Sequence, residues 1–134
     1  MTSFAEQLLI VSSLPDKINR MRDNKHGEVY IINNPAWSDW YKIGKAVDSR
    51  NRLIGYQTTS PFRDFCLLYT ILVYNRHRGE KIAHRVAEKL CNERNNEWFY
   101  IKDIDVAKDT IKNTLEKKGM TAYGWISTNT KSSW

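Results

Sequence analysis

From Phe65 to Tyr74 nearly every side chain is apolar or aromatic: Phe65, Cys66, Leu67, Leu68, Tyr69, Ile71, Leu72, Val73 and Tyr74. A strand with one wet face alternates polar and apolar residues. A run that does not alternate must be covered on both faces. This segment therefore reads as a strand in a sheet with protein packed above and below it.

The flanking sequence supplies the partners. Val29-Tyr30-Ile31-Ile32 is β-branched and aromatic and stops at Asn33-Asn34-Pro35, a turn signal; Trp40 to Gly44 reads as the returning strand. Residues 28–44 thus form a hairpin with a longish loop. Asp48 caps a short helix that carries Arg50, Arg52 and Leu53 and ends near Gly55. Residues 77–93 switch to helical spacing, with Ile82, Ala83, Val86, Ala87, Leu90 and Cys91 on one face. Trp98 to Ile101 is a short strand. A last helix opens at Asp103 or Asp105, buries Val106, Ala107, Ile111 and Leu115, and ends at Lys117-Lys118-Gly119. The order β-β-α-β-α-β-α describes an α+β domain with a three-stranded central sheet, a short fourth strand and flanking helices.

Before this domain, Ser3 and Glu6 form a capping box for an opening helix that Pro15 interrupts, and a basic helix is expected from Asp16 to about Asn24. After it, residues 120–134 are rich in Ser and Thr and read as a loosely held tail with Trp125 and Trp134. The division is a helical extension over 1–26, the α+β domain over 27–118 and a tail over 119–134.

With 134 residues, 41% of them hydrophobic, the chain can build one packed core. The formal net charge of +6 suits a phosphate-bearing partner, because Lys and Arg displace counterions from nucleic acid. Cys66 and Cys91 fall in a buried strand and a helix, with no zinc-ligand spacing, and read as reduced core thiols. Residues 1–6 carry no basic leader, and the apolar stretch from Leu8 to Val11 is too short to span a bilayer. A soluble cytoplasmic protein without a membrane role is expected.

The chemistry-bearing residues fall in and beside the hairpin. Alternation puts Glu28, Tyr30 and Ile32 on one face of the first strand, and Trp40, Lys42 and Gly44 on one face of the second. If Val29, Ile31, Tyr41 and Ile43 are buried together, Tyr30 and Lys42 emerge on the same side, where a cation beside a phenol would favour phenolate and fit Tyr30 as a general base. Arg52 suits bidentate binding of a phosphate; Arg50, on nearly the opposite side of the helix, suits an ordinary backbone-phosphate contact. Glu80 and His84 are four apart and stack on one side of their helix, at the border of its apolar face. Taken singly each of these is ordinary: strand tyrosines are common, and Glu/His pairs decorate many helices.

Taken together and in order, they are similar to a known set. Gly27-Glu28-Val29-Tyr30-Ile31-Ile32 and Tyr41-Lys42-Ile43-Gly44-Lys45 resemble the paired strand motifs of the GIY-YIG nuclease superfamily. The match is to a phage and bacterial subfamily that writes them VYI and KIG. Arg52 lies at the family's arginine position, Glu80 and His84 match an E-x-x-x-H element, and Glu97-Trp98-Phe99 matches a closing E-W-F. The resemblance spans roughly residues 27–102. It implies a DNA endonuclease, as in homing and phage enzymes, in which Tyr30, primed by Lys42, takes a proton from water. In that mechanism Arg52 clamps the phosphate and Glu80 holds Mg²⁺, with Mn²⁺ a natural substitute. The metal would neutralise the leaving 3′ oxygen, His84 would position a water or assist that oxygen, and Glu97 would stand behind the ligands.

Two departures matter: Lys42 replaces a tyrosine, and Tyr56 holds the place where many members have histidine. Lys45, Arg50 and Tyr56 join the expected DNA contacts. Lys17, Arg20, Arg22 and Lys25 could track phosphates and Trp125 or Trp134 could stack on an unpaired base; the plainer reading is that the N-terminal helices pack on the sheet and the tail is mobile. One such site cuts one strand, so a double-strand break takes a homodimer or two encounters. The competing readings are a catalytically silent nucleic-acid-binding module of the same fold, and a protein adaptor using the aromatic loop around Trp37 and Trp40.

Overall fold

The computed structural model describes residues 24–121 and the backbone of 126–127. The hairpin forms as expected from β1 (Gly27–Asn33) and β2 (Trp40–Ala46), with Tyr30 opposite Gly44 and Ile32 opposite Lys42. The apolar run is β3 (Cys66–Val73), antiparallel to β1. Three short strands follow: β4 (Glu93–Asn95), β5 (Trp98–Tyr100) and β6 (Ile126–Ser127). The sheet is antiparallel throughout, in the order β4-β5-β2-β1-β3-β6.

This corrects the expected three strands and a short fourth. Glu93-Arg94-Asn95 is exposed at every position, so no hydrophobic pattern marks β4. It forms because Asn96 accepts a left-handed backbone (φ 54°) and closes a tight turn into β5. The expected tail is also corrected in part. Met120 is buried in the core, Thr121 bridges to Val73, and β6 pairs with β3. The opening helices and Trp125 and Trp134 lie outside the described residues.

Both faces of the sheet are covered, as the β3 run requires. On one, α2 (Arg76–Leu90) and α3 (Ile104–Lys117) press Ile82, Ala83, Ala87, Ala107, Ile111 and Leu115 against Val29, Ile31, Tyr41, Ile43, Tyr69 and Ile71. Gly79 lets α2 approach closely, since a Cβ there would stand 3.0 Å from Val29 Cγ2. Val106, expected inside, is 48% exposed; α3 buries the stripe Ala107, Ile111 and Leu115, and Val106 falls beside it. On the other face α1 (Ser49–Gln57) drops Leu53 onto Tyr30, Ile32, Ala46, Phe65 and Leu67.

The short helix α1 runs through Gly55 to Gln57, and its position is fixed at both ends. Asp48 caps its N-terminus, accepting from the amides of Arg50 and Asn51. Beneath that turn the buried carboxylate of Glu28 accepts from the amide and hydroxyl of Ser49, each at 2.7 Å. Burial pushes the Glu28 carboxyl above the usual carboxylate range, while the Ser49 donors pull it back. At the far end the Gln57 amide exchanges two hydrogen bonds with the backbone of Phe65. Neither cysteine is in a disulfide, and among the described residues no helix is long and apolar enough to cross a membrane.

Candidate active site

Strand β5 pairs with only the first half of β2, from Trp40 to Lys42. Ile43 is the last point of attachment: its amide donates to the Glu97 carbonyl at 3.0 Å, and its own carbonyl is taken by His84 Nε2 at 2.8 Å. A carbonyl only accepts, so Nε2 carries the proton and the lone pair of a neutral imidazole sits on Nδ1. Beyond Ile43 the rim of β2 is open toward the β5 side. The candidate residues gather around that rim from both faces of the sheet.

From the α2 face come Glu80 and His84, one turn apart, and at the tip of the β4–β5 turn stands Glu97. Ligand atoms of these three lie within 4.8 Å of one another. Glu80 is 8% exposed. Lys45, on the same face of β2, donates to its carboxylate at 3.1 Å.

From the α1 face come Tyr30, Lys42, Tyr56 and Arg52. Lys42 pairs with Glu97 at 3.3 Å and stands 5.7 Å from the Tyr56 ring centre. The hydroxyls of Tyr56 and Tyr30 are 3.3 Å apart. A continuous path of contacts thus runs Tyr30–Tyr56–Lys42–Glu97 and on to Glu80 and His84. Glu97 is the link between the two faces.

Tyr30 lies flat over Gly44, its partner across the hairpin; a Cβ on Gly44 would come within 2.5 Å of the phenol oxygen. The glycine of the second motif is therefore a seat for the tyrosine of the first. Tyr30 and Lys42 share the α1 face, as alternation implied, but Tyr30 does not emerge from it. It is 3% exposed, under α1, and Lys42 falls opposite Ile32. Burial pushes the Tyr30 phenol well above its ordinary value, and Tyr56 and Glu97 push it the same way; Arg52 is the cation that opposes them. Lys42 is not the group that tunes it. Burial would lower the Lys42 ammonium, but Tyr56 and Glu97 more than offset this, and its affinity for the proton is raised.

Arg52 is exposed, and among the described residues no carboxylate lies within ion-pair distance of its guanidinium. Arg50 is also exposed, on the outer side of α1. Lys45, expected on a phosphate, instead holds Glu80. Tyr56, expected as a peripheral DNA contact, is half-buried at the centre of the path. His84 spends Nε2 on the rim of β2, so through that nitrogen it neither positions a water nor assists a leaving oxygen. Glu97, read from the sequence as standing behind the ligands, lies among them, with its carboxylate beside that of Glu80 and the His84 ring.

The profile of one family matches the chain: the T5orf172 domain, over residues 27–117, about two-thirds of the length. The chain belongs to the T5orf172 domain family. This is a phage-associated domain related to GIY-YIG and HNH-like nuclease folds. The T5orf172 match begins with β1 and ends with α3, so it contains every residue of the rim site. Neither the curated proteins nor the solved structures give a match.

The donor set fits a hard divalent cation. Two carboxylates converge with one imidazole, and each carboxylate is held by a single lysine whose charge a cation would replace.

Proposed function

We propose that this T5orf172 domain is a metal-dependent endonuclease that hydrolyses phosphodiester bonds in DNA, as a GIY-YIG enzyme of the VYI/KIG type. What carries the reading is the meeting at one strand rim of a carboxylate cluster, two linked phenols and an exposed arginine. Glu80 and Glu97 would hold Mg²⁺ or Mn²⁺, with His84 fixing the rim behind them. Bound there, the cation would neutralise charge on the phosphate and the departing 3′ oxygen.

The remaining work falls to the chain's own side chains. Arg52 clamps the scissile phosphate with its paired N–H groups. A water oxygen attacks phosphorus, the bond from phosphorus to the 3′ oxygen breaks, and the leaving oxygen takes its proton from solvent. The attacking water gives its proton to a phenolate shared across the Tyr30–Tyr56 hydrogen bond. Arg52 favours that charge at Tyr30, while burial opposes it.

Supercoiled plasmid incubated with Mg²⁺ or with EDTA tests the proposal. Wild type is expected to nick it only with the metal, and Tyr30→Phe and Glu80→Gln are expected to lose nearly all cutting. Robust Mg²⁺-dependent nicking by both variants would overturn the assignment. A second reading, a module that binds nucleic acid without cutting, is favoured by one observation: Lys45 already neutralises Glu80. That reading predicts retarded but intact DNA in a gel under every metal condition.

A further inference from the structure

On the α1 face of the sheet, next to the rim site, Trp37, Trp40, Asn95 and Trp98 line an open cleft of about 280 Å³. Its walls are placed by elements already fixed for other reasons. Trp40 shares a face of β2 with Lys42, and Trp98 stands directly across from Lys42 on β5. Asn95 faces Trp98 across the β4–β5 turn. Trp37, in the β1–β2 loop, meets Trp98 edge-on at 5.7 Å and is 50% exposed. The same hairpin carries Glu97 at its tip, between Asn95 and Trp98. The cleft and the proposed metal ligand are thus parts of one small unit.

Resting on the nuclease reading, we propose that this cleft takes an unpaired nucleobase of the DNA substrate. The preferred target is then a junction, flap or bulge with an unstacked base beside the scissile phosphate. Three indoles around one carboxamide offer what such a base needs: flat π-faces for stacking and a donor and an acceptor for its edge. Continuity with the rim site places the base beside the phosphate that Arg52 and Glu97 face. The net charge of +6 favours a polyanion over a neutral apolar peptide as the occupant. Base pairs in a continuous duplex keep their faces stacked on each other and cannot enter.

The test uses the full chain in EDTA, so binding is read without cutting. The probes are a labelled blunt duplex and the same duplex carrying one unpaired nucleotide. Wild type is expected to bind the second more tightly and to lose indole emission on binding, as stacking quenches it. Trp37→Ala should weaken binding to the unpaired substrate by about tenfold while leaving blunt-duplex affinity unchanged, and Trp37→Phe should restore most of the loss. Because Trp37 is half exposed, its removal leaves the core intact; unchanged thermal melting would verify this.

Equal affinity of wild type for the two probes, or equal loss on both in Trp37→Ala, would overturn the inference. So would Trp37-dependent capture of a protein partner that persists at high salt with no oligonucleotide effect. Failure here leaves plasmid nicking untouched. If no nucleic acid binds at all, the nuclease reading itself falls, and this inference with it.

Discussion

Gly44 has no side chain, yet the placement of the proposed base depends on it. The phenol of Tyr30 occupies the space a Cβ would need. Gly44→Ala must therefore either tilt Tyr30 or part the hairpin. We expect a loss of about 1–3 kcal/mol in chemical denaturation, because the site is fully packed. A fall in cleavage rate of about a hundredfold should accompany it, since small misplacements of a reacting group are costly. A variant that keeps full activity would mean Tyr30 is not the base. The burial of Tyr30 has a second consequence, with a definite sign. Its proton is held more tightly than in a free phenol, so the phenolate is scarce at neutral pH. The cleavage rate should climb by about tenfold per unit of pH from neutrality into the alkaline range. A flat single-turnover pH profile would exclude phenolate chemistry.

At the level of elements, α1 is nine residues long and has little to hold it beyond its ends and Leu53. Ser49 connects it to the sheet through Glu28 and Thr70. Ser49→Ala removes one donor from a buried carboxylate and should cost about 1–3 kcal/mol. Because Arg52 and Tyr56 ride on this helix, the same change should raise KM for DNA more than a surface mutation of equal stability cost. Equal KM values in the two variants would show that α1 is positioned by other contacts. The elements themselves were largely legible in the chain. The double-faced run became β3, the Asn-Asn-Pro turn closed β1, and Asp48 and Asp103 cap the helices expected of them. Strand β4 was not legible, because three exposed polar residues pair through a turn and not through apolar pattern. Within the site, alternation correctly grouped Val29, Ile31, Tyr41 and Ile43 in one core. It could not supply register. Alternation says which face a residue takes; only the pairing of β1 with β2 says that Tyr30 meets Gly44 and Lys42 meets Ile32. Tyr56 was named as a DNA contact, but its hydrogen bond to Tyr30 was not legible for the same reason, since its reach depends on how α1 lies over the sheet.

For the molecule as a whole, three buried phenols, those of Tyr30, Tyr41 and Tyr69, set a limit at high pH. Burial raises all three above the ordinary tyrosine value of 10.0. The unfolded chain ionises these groups near that value while the folded chain resists. The stabilisation is therefore complete below about pH 10 and is lost as pH rises beyond it toward the folded values. Thermal melting should fall steeply above pH 10, and Tyr69→Phe should flatten part of that fall. An unchanged slope in that variant would show that Tyr69 does not contribute.

The shortness of β5 has a consequence of its own. Its hairpin turns back where β2 still has residues to offer, and a doorway remains at the unzipped margin. A longer hairpin would knit that margin shut and extinguish the proposed chemistry while leaving every acid, base and cation of the ensemble in the chain. Hairpin length, more than the identity of any ligand, decides whether this scaffold has an entrance at all.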